Sequence, residues 1–143
     1  MTTVRRAVGI GLLAGLMGLP ATALPPAINY KLECMGCHRP DGSGMGDKVP
    51  SLRGDMARFL GVEGGRAFLV RVPGTAQSPL NDADTADLLN WMLRRFSAET
   101  LPDDFTPFTA TEVGRYRAAP LTEVKKTRQA LMDKIERLEN RGH

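Results

Sequence analysis

The chain is poor in the residue types from which most metal and redox sites are built. It has two cysteines and two histidines in 143 residues, and one of those histidines, His143, is the last residue. A structural zinc site usually takes four Cys or His ligands, so here it would need the chain end. Aromatic residues are scarce, with one Trp, two Tyr and five Phe, and a polypeptide core built from them is small. No segment beyond Leu19 is apolar enough to cross a bilayer, which takes about 20 apolar residues. No stretch alternates apolar and polar residues with period two, so no half-buried strand is expected. A strong excess of one charge is missing too. The formal charge is +3, and Arg5 and Arg6 contribute two of those charges. Nucleic acid is therefore not implied as a partner.

The first residues read as a secretory leader. Met1 to Arg6 form a short basic region, Ala7 to Leu19 are uncharged and largely apolar, and Pro20 precedes Ala21-Thr22-Ala23. A basic start, an apolar middle and an A-x-A site are the parts of a signal peptide. The reading is cleavage before Leu24, with export to the periplasm; the rival is a retained segment that tethers the protein to the membrane. Residues 24–98 then read as a compact domain, and residues 99–143 as a linker and a helical extension.

The spacing predicts an all-α fold. A first helix is expected from about Ala27 to Cys37, behind Pro25-Pro26, with Ile28, Leu32 and Met35 on its buried face. Gly42, Gly44 and Gly46 mark a loop up to Pro50. Short helices are expected near Asp55–Leu60 and Gly65–Val72, the second closed by Pro73-Gly74. The clearest helix starts at Asn81, a good N-cap, followed by Asp82, Asp84 and Asp87 at the positive end of the helix dipole. Its apolar face is Leu88, Leu89, Trp91, Met92, Leu93 and Phe96, and Arg94 and Arg95 close it.

The two cysteines carry the chemistry. Cys34-Met35-Gly36-Cys37-His38 is a C-x-x-C pair followed at once by histidine, the attachment pattern of a c-type haem. Positions i, i+3 and i+4 share one face of a helix. Both thiols can thus add to the two haem vinyl groups while His38 reaches the iron from the same side. The alternatives are a structural disulfide, a redox dithiol or zinc. The dithiol pattern calls for a βαβ context that is absent, and zinc lacks ligands.

On these residues the chain resembles the class I c-type cytochromes over about Ile28 to Phe96. Pro50-Ser51-Leu52 sits where the family keeps a proline after the first loop. Leu88-Leu89-Asn90-Trp91-Met92-Leu93 is similar to the family's last helix. The resemblance implies a small helical cytochrome c-like domain around one covalent haem c. Cys34 and Cys37 would be its thioether anchors and His38 its proximal iron ligand. It also implies that the Pro50 carbonyl orients His38, and that Trp91 packs against the first helix near the haem edge.

One part of the family pattern is missing. The family usually supplies a second axial ligand, a Met in the loop before the last helix. Here that loop is Pro73-Gly74-Thr75-Ala76-Gln77-Ser78-Pro79-Leu80, with neither Met nor His. Met35, Met45, Met56, Met92, Met132 and His143 each have another reading as core, surface or terminal residues. The sixth ligand stays open, with Gln77, Ser78 or water as weak alternatives.

The extension opens at Thr109-Ala110-Thr111-Glu112, a capping-box pattern. A short helix should run to about Ala118 and a longer one from Thr122 to Asn140. Leu121, just before it, and Val124, Leu131, Ile135 and Leu138 within it make an apolar stripe interrupted by Arg128. Packing on its own domain is favoured over docking to a partner.

The expected function is single-electron transfer between a periplasmic donor and an acceptor protein, without enzymatic turnover. Two others remain: a haem protein with an open distal side that binds small ligands or peroxide, and a haem subunit docked into a larger oxidoreductase.

Overall fold

A computed structural model describes residues 23–141. Apart from Ala23, the expected leader falls outside the described residues, as does His143. The chain is helical, with no strand among the described residues beyond a single bridge between Met45 and Val49. In order, the helices are α1 (Pro26–Glu33), α2 (Met35–His38), α3 (Asp55–Arg58), α4 (Gly65–Arg71), α5 (Pro73–Ala76), α6 (Asp82–Phe96), α7 (Ala110–Arg117) and α8 (Val124–Glu139). Short 3-10 turns follow α3 at Phe59–Gly61 and α6 at Ala98–Thr100.

The longest helix of the expected domain forms for the reasons visible in its sequence. The Asn81 side chain accepts from the Asp84 amide at 2.8 Å, and Asp82 and Asp84 fill the first turn. Leu88, Leu89, Met92, Leu93 and Phe96 are buried on one face. That face meets α1 through an aromatic cluster: the Tyr30 ring lies 5.5 Å from Trp91 and 4.9 Å from Phe96, and Trp91 meets Phe96 edge-on at 5.6 Å. Such aromatic pairs contribute about 0.5–1.5 kcal/mol beyond their burial.

The buried face of α1 is not the one expected. Ile28 is 37% exposed and Leu32 66%, whereas Tyr30 is 2% exposed and Asn29 is buried with it. Tyr30 decides this because its ring enters the α6 cluster while its hydroxyl donates to the Arg39 carbonyl at 2.6 Å. One aromatic ring with a satisfied hydroxyl outweighs two aliphatic chains at the wrong angle. The expected single helix from Ala27 to Cys37 is also broken, since Cys34 (φ −122°, ψ −36°) separates α1 from α2.

Elsewhere the differences are small and have local causes. Pro73-Gly74 does not merely close α4; Pro73, tolerated at a helix start, opens the extra turn α5. The 99–109 stretch is packed rather than a loose connector. Phe108 is buried, and the Asn90 side chain pairs with both its amide (2.7 Å) and its carbonyl (3.0 Å). The capping box at α7 is half made. Thr109 accepts from the Glu112 amide, but the Glu112 carboxylate goes instead to Arg66 in a two-pronged pair at 2.8 and 2.7 Å. Arg66 also stacks 4.1 Å over the Phe108 ring.

Helix α8 lies on its own chain. Leu131 and Ile135 join the buried core that includes Phe59, Phe68 and Val113, and Arg58 grips Glu139 with two bonds at 3.0 and 2.8 Å. Leu138, the last of the expected stripe, stays exposed.

Tyr30 offers a test of the α1–α6 junction. Burial, followed by the neighbouring Cys34 and Asp41 charges, pushes its phenol up to about 12. The folded state thus holds the proton more tightly than the unfolded chain, whose phenol titrates near 10. The resulting stability is complete below about pH 10 and is lost as pH rises toward 12. Tyr30→Phe should cost roughly 1 kcal/mol at pH 7, and its denaturant midpoint should fall less than that of the parent between pH 9 and pH 11.

Candidate cofactor site

The break at Cys34 sets the local geometry. After it, α2 makes one turn, in which the Cys37 and His38 amides both donate to the Cys34 carbonyl at 3.2 and 2.9 Å. That turn brings Cys34, Cys37 and His38 to a common cleft of about 290 Å³. Cys34 is half-buried and Cys37 exposed, and neither is in a disulfide. Burial, with the nearby Glu33 and Cys37 charges, pushes the Cys34 thiol up to about 11. A redox dithiol needs the opposite shift, toward thiolate, so the geometry disfavours that alternative.

Arg39 ends α2 with φ +61°, a conformation that bulky L-residues rarely adopt. The Tyr30 hydroxyl on its carbonyl holds it there. The chain then doubles back. The Gly44 amide donates to the His38 carbonyl at 3.2 Å and the Leu52 amide to Gly42 at 2.8 Å. The C-terminal end of α6 anchors the returning limb of the loop, with Ser97 Oγ donating to the Leu52 carbonyl at 2.7 Å and the Gly54 amide to the Phe96 carbonyl at 2.9 Å.

This loop places the Pro50 carbonyl 3.2 Å from His38 Nδ1. A carbonyl only accepts, so the proton sits on Nδ1, and Nε2 keeps its lone pair. Burial lowers the His38 pKa more than the Pro50 bond raises it. The imidazole is therefore neutral at pH 7, the form that ligates a metal. A carbonyl behind the ring also fixes its orientation and raises its basicity as a ligand.

The remaining cleft wall is mostly Leu, Phe, Val and Met side chains. Of the residues marked out by the family resemblance, Cys34, Cys37, His38 and Pro50 come together here. Trp91 does not line the cleft; its ring is spent on Tyr30 and Phe96. Met56 and Met92 do line it, both nearly fully buried, while Met35, Met45 and Met132 do not. In the Met-free loop, Gly74, Thr75 and Ser78 reach the cleft and Gln77 does not.

A profile of the cytochrome c family matches residues 27–95. A cytochrome c-552 of Thermus thermophilus is 31% identical over 125 residues, which cover 75% of this chain and 84% of that relative. A second Thermus thermophilus cytochrome c-552 is 32% identical over 108 residues, covering 63% and 82%. The chain belongs to the cytochrome c family. Membership makes this cytochrome an electron-transfer protein with covalently bound haem c rather than an enzyme. The cleft suits that group: it is apolar, carries two thiols at one edge, and holds a neutral imidazole with its acceptor already in place.

Three residues of the cytochrome's site come from the extension and were missed from sequence. Val124 and Arg128 of α8 line the cleft, and Arg128 is the one cation of its lining among the described residues. Arg117 of α7 does not line it but binds the loop that does. Its guanidinium donates to the carbonyls of Ala76, Ser78 and Leu80, at 3.2, 2.8 and 2.8 Å, and to Asp82 at 3.0 Å. The break of the apolar stripe at Arg128 was the one available signal. It marks a helix face that meets something other than hydrocarbon.

Gly44 tests how tightly this loop is built. Its φ is +73°, and a Cβ there would strike the Val49 carbonyl oxygen and lie 2.7 Å from that of Pro50. Gly44→Ala should lower stability by at least about 1–2 kcal/mol from backbone strain alone. Gly44→Asn tolerates the positive φ but has the same Cβ, so it should not recover the loss in a denaturant titration.

Proposed function

We propose that Cys34 and Cys37 hold the haem c by thioether bonds, that His38 is its proximal iron ligand, and that Pro50 orients His38. The observation that carries this is the convergence of both thiols and the Pro50-bonded imidazole on one apolar cleft. Bound there, the iron supplies a reversible one-electron couple. The chain's own residues do the rest. Phe68, Leu69, Leu88 and Leu89 would give it an apolar bed that excludes water, and Arg128, which faces Asp55 at 3.6 Å, would bring a positive charge to the cleft wall. Cys37 is exposed at the rim, so a haem edge joined to it would lie near the surface, where electrons could enter and leave.

The 1–23 leader supports export to the periplasm, an oxidising compartment in which Cys34 and Cys37 must be kept reduced to add to the haem vinyl groups. The cytochrome there carries single electrons from a donor to an acceptor protein. Residues 24–98 form the haem-bearing unit, and residues 99–143 complete it. Leu131 and Ile135 support that last reading over docking into a larger oxidoreductase, because the apolar stripe of α8 is occupied by the chain itself.

The test is mass spectrometry and optical spectroscopy of protein matured in a host that attaches haem c. One haem should stay with the Cys34–His38 peptide after denaturation. Cys34→Ser together with Cys37→Ser should lose it entirely, and His38→Ala should keep the attachment but change the iron's spectrum. Haem absent from the parent, or retained by the double variant after denaturation, would sink the assignment.

A further inference from the structure

Ser78 Oγ is the one buried side-chain polar atom among the described residues without a hydrogen-bond partner. Burying a hydroxyl unpaired costs about 1–3 kcal/mol, so the atom points to a partner that the polypeptide does not supply. Ser78 lines the same cleft as His38.

Its place in the cleft follows from the two ends of α6. At the C-terminal end, Ser97 binds Leu52, in the segment that starts at Pro50, and Met92 lies nearest that end. Met56 joins the same side, its amide donating to the Leu52 carbonyl. Pro50, Leu52, Met56 and Met92 thus cluster with His38. At the N-terminal end, Thr85 shares Arg117 with Ser78 and Asp82, and α5 packs on α4 and α7. The wall made by Thr75, Ser78 and Thr85 is therefore separate from the His38 wall. It carries hydroxyls and neither a thioether nor an imidazole. Arg117 grips the carbonyls of Ala76, Ser78 and Leu80, which fixes the backbone that carries Ser78.

We propose that this wall is a binding site for a small hydrogen-bond-accepting ligand, water or a compact anion, on the face of the haem opposite His38, with Ser78 Oγ as its donor. The proposal rests on His38 being the proximal ligand.

Azide is the probe for the ferric holoprotein and carbon monoxide for the ferrous one. Both should bind without slow displacement of a protein ligand. Loss of one hydrogen bond in Ser78→Ala should weaken azide about three- to tenfold, whereas carbon monoxide, a poor acceptor, should change less than about twofold. Ser78→Thr, which keeps the hydroxyl, should restore azide affinity. The parent should show no Met-to-iron charge-transfer band, and Met56→Leu and Met92→Leu should show none either. A Met-to-iron charge-transfer band that vanishes in either Met variant would overturn the proposal. So would equal losses for azide and carbon monoxide in Ser78→Ala, or unchanged azide binding there, which would give the hydroxyl to a propionate or to packing alone. A haem-loaded parent that refuses azide sinks this inference and leaves the haem assignment standing; a parent without covalent haem sinks both.

Discussion

The crossing of α1 and α6 through Tyr30, Trp91 and Phe96 is the contact on which the rest of the site depends. It fixes α1, and with it the turn that carries Cys34, Cys37 and His38. The Tyr30 hydroxyl then fixes Arg39, which reverses the chain beyond His38. From the other side, the end of α6 holds Leu52 and Gly54, and so holds Pro50 behind the imidazole. One helix therefore sets both partners of the His38–Pro50 bond. A shift of α6 would therefore disturb the ring and its acceptor together.

The extension belongs to the same construction. A domain ending near Ala98 would leave Phe68, Phe59 and Val70 short of cover, because Phe108, Val113, Leu131 and Ile135 complete their core. Three arginines reach across the junction with charge-assisted bonds, the strong kind: Arg66 to Glu112, Arg58 to Glu139, and Arg117 to the loop before α6. Their value lies less in charge pairing, which is weak at a surface, than in two-pronged geometry and partial burial. A cofactor cleft in so short a chain needs such walls, since a small domain buries a modest share of its surface.

The haem motif, the all-α class, the Asn81 cap and most helix spans were legible because each rests on residues close in sequence. A C-x-x-C-H is one turn of chain, and a cap is a four-residue pattern. What escaped was set by contacts between distant residues. The periodicity of Ile28, Leu32 and Met35 is genuine, yet α1 turned on Tyr30, whose partners lie some sixty residues on. The Glu112 capping role was lost to Arg66, forty-six positions away. Likewise nothing local to Arg117 says that it binds a loop near residue 78, and the break of the stripe at Arg128 does not say what that face meets. Pro50 escaped this limit only through the family resemblance, which already encodes a long-range contact.

The loop before the last helix shows what the sequence departure means physically. In the family this segment usually contributes a methionine to the iron, and a metal–ligand bond then orders the loop. Here the order comes from Arg117, which holds the loop's backbone carbonyls. A guanidinium offers five donors in a rigid fork, enough to fix three carbonyls and a carboxylate together. Because the bonds run to backbone oxygens, they leave the side chains of Thr75 and Ser78 unconstrained by the clamp itself. The loop can be rigid while its inward face stays chemically uncommitted. That separates two tasks which a methionine ligand performs at once: ordering the segment and occupying the sixth position. With the extension performing the first, this loop needs no metal–ligand bond for its order.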